Sequence, residues 1–275
     1  MCIAPILIGG VARKGPTVGT AAQIRPVRRV PCGQCIECRL AYSRMWAVRI
    51  MHERSLHERS CFVTLTYDDN NCPETVSVAS LQAFFKRFRA AIAPQRIRFF
   101  ACGEYGDLSG RPHYHAIIFG VDRNFQTHME AAWMAGFVHC GDVTFDSACY
   151  VARYALKKQK GEVDRKKQPF VVMSRRPGIG HDVAIRDVAS MKARDGVIFK
   201  GHKISLPRYY AEKVLTPAER KAKSLKNKIY YVKLELDQEL DLIAKSQSPA
   251  KHRVETARQK IVNNEARLSL KRRKI

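Results

Sequence analysis

The sequence contains no apolar run near the roughly 20 residues that a helix needs to cross a bilayer. Its early apolar stretch, in MCIAPILIGG, is short and has no basic lead, so neither a membrane span nor a secretory signal is expected. Acidic residues are also scarce: 25 Asp and Glu stand against 49 Lys and Arg, a formal net charge of +24. A merely solubilising surface seldom needs so one-sided a balance. A polyanion partner accounts for it, because basic side chains on phosphates release condensed counterions. No internal repeat and no low-complexity tract interrupts the chain. Nine cysteines are an odd number, and most stand singly, which does not read as a disulfide framework. They are expected as reduced thiols in a cytoplasm.

A chain of 275 residues is long enough for one sizeable domain with appendages. Residues 1–30, rich in Gly, Pro and Arg, read as an arm, and 31–60 as a cysteine-bearing turn and a helix. CFVTLTYDD is a β-branched strand ending in an acidic turn. In SVASLQAFFKRFRAAI, Ser77 caps a helix whose Leu81, Phe84, Phe85 and Phe88 recur at helical spacing, and Pro94 ends it. RIRFFACGEYG and RPHYHAIIFG are two further strands joined by the turn YGDLSG. NFQTHMEAAWMA is helical, GFVHCGDVTF a fourth strand, and DSACYVARYALKKQK a helix capped by Asp146 or Ser147. The first six of these elements match the ferredoxin-like split βαβ pattern, an α+β fold with an antiparallel sheet and helices on one face. The core is placed at 61–210, including a hairpin extension in GVIFKGHKISLPRYY, and 211–275 form a basic helical tail.

Three groups of residues carry chemistry. His113 and His115 are two apart, so on a strand they face one side while Tyr114 faces the other. Imidazole nitrogen is the commonest protein metal ligand, and two from one strand make half a metal site. Glu104 ends the preceding strand. Its carboxylate either completes a His-His-Glu site suited to Mn²⁺ or Mg²⁺, or pairs with Arg111. Tyr150 and Tyr154 stand one helical turn apart, with Arg153 three residues after the first and Lys157 three after the second. A neighbouring cation lowers a phenol's pKa and neutralises phosphate charge; the alternative is an aromatic pair that packs the helix on the sheet. Cys32, Cys35 and Cys38 make two overlapping C-x-x-C steps, either a turn holding structural Zn²⁺ or free thiols. His52, His57, Cys61 and Cys72 are the candidates for a fourth ligand. The helix that follows carries Arg39, Arg44 and Arg49, as DNA-backbone contacts or as a solvated face.

Taken in order, the TLTY strand, His113-Tyr114-His115 and the helix YVARYALKK resemble the HUH endonuclease superfamily, which initiates rolling-circle replication. The paired tyrosines resemble its two-tyrosine branch. PCGQCIECR, SRMWAVR, GEYG with GRPHYHAIIFG, and MSRRPGIG are similar to the initiators of gokushovirus-type microviruses, over residues 31 to 210. The resemblance implies a metal held by His113, His115 and Glu104, and attack on origin DNA by Tyr150 or Tyr154, aided by Lys157. A 5′-phosphotyrosine link and a free 3′-OH result, and strands are later rejoined. It also implies single-stranded or supercoiled phage origin DNA as substrate, in the host bacterial cytoplasm. No Gly-Lys-Ser/Thr phosphate loop is present, so unwinding falls to a host helicase and synthesis to a host polymerase. The rival is a non-catalytic single-stranded nucleic-acid binder, using Tyr114 or Phe99 as exposed stacking platforms on the same sheet.

Overall fold

In a computed structural model the chain is described over residues 6–11, 24–33, 35–106, 109–154 and 168–272. Two compact units divide it: Met1–Ala41 with Ala222–Ile275, and Tyr42–Lys221. In the first, β1 (Ile6–Val11) and β2 (Ile24–Val30) pair as an antiparallel hairpin within the stretch read as an arm. Arg25, Arg28 and Arg29 break the apolar alternation of β2, which removes the usual strand signal. The helix α1 (Ile36–Arg54) follows.

The larger unit then runs through β3 (Ser60–Tyr67), α2 (Val78–Ala91), β4 (Arg98–Tyr105), β5 (Pro112–Phe119), α3 (Gln126–Trp133), β6 (Gly136–Gly141) and α4 (Phe145–Tyr154). That is the order expected from the sequence. Ser77 caps α2 as expected, its side chain accepting from the Ser80 amide at 3.4 Å. The cap of α4 is a correction. Thr144, not Asp146 or Ser147, holds that position: its Oγ1 accepts from the Ser147 amide at 3.0 Å, and Ser147 Oγ accepts from the Thr144 amide at 2.9 Å.

The sheet has five strands, because β7 (Phe170–Met173) adds an unexpected edge beside β4. Its four residues are too few to show a period. The strand order is β6-β3-β5-β4-β7 and every neighbouring pair is antiparallel. Beyond the sheet come α5 (His181–Arg186), α6 (Val188–Arg194), a small hairpin of β8 (Val197–Phe199) and β9 (His202–Ile204), and α7 (Arg208–Val214). That hairpin turns on Lys200-Gly201, both at positive φ. The basic tail is helical: α8 (Pro217–Ala244) and α9 (Pro249–Arg272). No described helix is long and apolar enough to cross a membrane.

Strand alternation gives the sheet two buried faces. Val63, Leu65, Ala101, Tyr114, Ala116 and Ile118 pack under Leu81, Phe84, Phe85 and Phe88 of α2 and under Met129 and Trp133 of α3. Phe100, Cys102, Ile117 and Phe119 pack under Ala47 and Ile50 of α1 and under Ala148, Val151 and Ala152 of α4. Helices therefore cover both faces, not one. Tyr114, proposed as a stacking platform, is 0% exposed. Its hydroxyl accepts from the Ser77 amide at 3.0 Å and meets the Tyr67 hydroxyl at 2.9 Å, and burial raises its pKa. Phe99 stacks on Phe85 at 3.9 Å. Neither ring is free for a base.

The loop RRPGIG is clamped onto α1. The Gly180 amide donates to Glu53 Oε2 at 2.6 Å, Arg49 Nε to the Ile179 carbonyl at 3.1 Å, and an Arg98 Nη to the Pro177 carbonyl at 2.7 Å. Gly180 has φ +73°, and a Cβ there would collide with the Tyr210 hydroxyl. Only glycine fits.

Candidate metal centre

The face that carries Phe100 and Cys102 reaches Glu104 next, and that of Ile117 reaches His115 and then His113. In the β4–β5 register Glu104 stands directly opposite His113, and Cys102 opposite His115. The ligand atoms of Glu104, His113 and His115 all lie within 4.8 Å of one another. Arg111, the other candidate partner of Glu104, instead pairs with Asp69 at 2.5 Å and donates to the Tyr67 carbonyl at 3.1 Å.

Hydrogen bonds fix the ring tautomers. His113 Nδ1 lies 3.1 Å from the Arg111 carbonyl oxygen. A carbonyl only accepts, so Nδ1 carries the proton and Nε2 of the neutral ring keeps its lone pair. His115 Nδ1 lies 3.0 Å from Thr64 Oγ1 and takes the same role as donor. Both Nε2 atoms then face Glu104 Oε1, at 3.2 and 3.0 Å. Two lone pairs and a carboxylate oxygen so close repel unless a positive charge is shared among them.

A proton is the weaker answer, because burial holds His115 below the ordinary histidine pKa, ahead of the opposing pull of Glu104. Glu104 is 1% exposed, and its Oε2 has no hydrogen-bond partner among the described residues. A buried unpaired carboxylate oxygen costs several kcal/mol unless a cation meets it. Two imidazoles and a carboxylate, with Oε2 left over, thus fit a divalent cation. Phe62 stacks on His115 at 5.5 Å and fixes its plane.

The α4 helix brings Tyr150 to the same place. Its ring stands edge-on to His115 at 5.0 Å, and its hydroxyl donates to Glu104 Oε1 at 3.4 Å. Tyr154 is the last described residue of α4 and lies one turn further on. Its side chain and Lys157 lie outside the described residues. Arg153 is half-buried on α4. Sequence reasoning misses Thr64 and the Tyr150–Glu104 contact. The signal for Thr64 is only that it shares a strand face with Thr66, and its partner becomes visible once β3 is registered against β5.

The arginines of α1 separate. Arg44 is exposed and Arg39 partly so. Arg49 is a correction to the DNA-facing expectation: it is 8% exposed, with its guanidinium 4.0 Å from the Trp46 ring and 4.3 Å from that of Tyr209. Burial lowers its pKa. Cys32, Cys35 and Cys38 converge as a second group, with ligand atoms within 4.8 Å. The four suggested partners are engaged elsewhere: His52 with Tyr210, His57 with Glu53, Cys61 with Cys140, and Cys72 with the Pro73 carbonyl.

Comparison with known proteins follows the same segment. Residues 60–159, from β3 through α4, match the family model for replication-associated protein ORF2. Replication-associated protein VP4 of Bdellovibrio phage phiMH2K is 30% identical, over 66% of this chain and 66% of its own length. Replication-associated protein ORF2 of Spiroplasma virus 4 is 32% identical, with 66% of each chain covered. Replication-associated protein ORF4 of Chlamydia phage 1 is 25% identical over 66% of this chain and 53% of its own. The chain thus spans about two thirds of the length of the first two relatives and about half of the third. No solved structure matches it.

Proposed function

Because the chain belongs to the family of phage replication-associated proteins, we propose that it starts rolling-circle replication by nicking single-stranded origin DNA inside the host cell. The observation that carries this reading is the convergence of Glu104, His113, His115 and the Tyr150 hydroxyl at one end of the sheet. Mn²⁺ or Mg²⁺ held by those three ligands supplies Lewis-acid charge at the scissile phosphate. His113 and His115 present Nε2 while their Nδ1 protons are tied to Arg111 and Thr64. Tyr150 Oη attacks phosphorus, its proton having an acceptor 3.4 Å away in Glu104 Oε1. The Oη–P bond forms as the P–O3′ bond breaks, leaving a 5′-phosphotyrosine and a protonated 3′-OH. One phosphoester replaces another, so no nucleotide cofactor is needed.

Tyr154, one helical turn away, is the second nucleophile, for cutting the regenerated origin while the first link is resolved by a 3′-OH. Arg153 and Lys157 offset phosphate charge, and Arg39 and Arg44 bind DNA backbone. Strand separation and synthesis are left to a host helicase and polymerase. The stacking rival gains no support, since Tyr114 and Phe99 are packed under helices.

The test is incubation of the protein with labelled origin DNA and Mn²⁺, followed by a denaturing gel. A covalent adduct is expected that needs metal, is lost in His113→Ala and in Tyr150→Phe/Tyr154→Phe, and is retained in Tyr114→Phe. Adduct that persists in the double tyrosine variant would overturn the nucleophile assignment, and none with any origin or metal would overturn the nickase reading.

A further inference from the structure

The cysteine group lies outside the nicking reading and stands on separate observations. We propose that Cys32, Cys35 and Cys38 hold a structural zinc ion, with Cys2 as the fourth thiolate, and that this clasp fastens the N-terminal segment to the start of α1.

Thiolates around a tetrahedral zinc lie about 3.8 Å apart, given Zn–S bonds of about 2.3 Å. The three sulfurs, all within 4.8 Å of one another, need only small rotations to meet that spacing. Three thiols brought so close are not a disulfide arrangement, since an odd one is left over. Their surroundings favour the thiolate form, which is the form that binds metal. The Cys35 amide donates to Cys32 Sγ at 3.2 Å, placing a backbone N–H where it stabilises sulfur charge. Cys35 directly precedes the first residue of α1 and Cys38 lies in its first turn, at the positive end of a helix of 19 residues. Gly33, at φ +73° with open space around it, gives the turn between the first two ligands its left-handed step.

The choice of fourth ligand rests on elimination and reach. His52, His57, Cys61 and Cys72 are held by other partners. Ile6 at the start of β1 stands opposite Val30 at the end of β2, and Val30 is two residues before Cys32. The start of β1 is therefore beside the cysteine turn. Cys2, which lies outside the described residues, is four positions before Ile6 and so within about 14 Å of it along an extended chain. A fourth thiolate closes the coordination sphere, as a structural zinc requires.

The experiment uses the full chain, loaded with zinc or stripped by a chelator, then alkylated and mapped by mass spectrometry. Zinc is expected to slow alkylation of Cys2, Cys32, Cys35 and Cys38 by roughly tenfold or more, leaving the other five cysteines unchanged. Cobalt in place of zinc is expected to give thiolate-to-metal absorption that disappears in Cys35→Ser and weakens in Cys2→Ser. A cation bound only at the histidines gives no such band, so failure here and failure of the nicking reading are distinguishable. Equal alkylation with and without zinc, and no thiolate band, overturns the site. Protection of Cys32, Cys35 and Cys38 but not Cys2 overturns the four-thiolate clasp.

Discussion

His115 has three neighbours that decide its chemistry: Thr64 on Nδ1, Phe62 against its face and Glu104 at Nε2. Thr64→Val keeps the shape and removes the oxygen that holds the Nδ1 proton. Metal affinity, measured by calorimetric titration with Mn²⁺, is expected to fall about 10–100-fold, with the fold unchanged. His52 makes a different prediction. It lies against Tyr210, 3.1 Å from the hydroxyl and stacked at 5.7 Å, and burial lowers its pKa against the opposing charge of Asp187. Unfolded, it takes up a proton as pH falls through about 6.5, while folded it does so only lower. The unfolded state thus binds more protons in that window, and stability falls as pH falls. Thermal melts from about pH 7.5 to 5.5 should show the loss, and His52→Gln should reduce it.

Among the elements, the loop clamped on α1 gives the sharpest contrast. Gly180 and Gly201 both have positive φ, +73° and +77°, but a Cβ at Gly201 meets nothing within 4 Å. Gly201→Ala is expected to cost only the backbone term, roughly 1–2 kcal/mol. Gly180→Ala should cost clearly more in urea unfolding, because the methyl collides with the Tyr210 hydroxyl and the Arg49 carbonyl. The order of elements from β3 to α4 was legible because Phe84, Phe85 and Phe88 repeat at helical spacing and CFVTLTY is rich in β-branched and aromatic residues. The His-x-His pair and Glu104 were legible because a short turn joins two strands and so fixes which residues can meet. Arg49 was not, since a charged residue buried between Trp46 and Tyr209 has the same local pattern as an exposed one. Its partner Tyr209 is far along the chain. Nor were β7 and the helices over the second face, whose need appears only once the sheet exists to be covered.

At the scale of the whole molecule, a net charge of +24 makes DNA affinity a function of salt. For a single-stranded oligonucleotide, log affinity should fall linearly with log salt, by about 0.7 per phosphate contacted. Anisotropy titrations between about 50 and 200 mM salt measure it, and Arg44→Ala should lessen the slope by about one contact. Arg49→Ala should instead lower stability, because its guanidinium is packed within the fold. The alternation along β5 has a consequence of another kind. His113 and His115 face one side of the sheet and Tyr114 is fully buried on the other, its hydroxyl bonded to Ser77 and Tyr67. A slip of one residue against β3 and β4 would exchange the two sides, putting imidazoles in an apolar core and a phenol at the cation. Such a chain would lose its core together with its ligands. Well-packed molecules with a dead centre are therefore not a stable by-product of misfolding, and quality control that senses exposed core also screens the metal site.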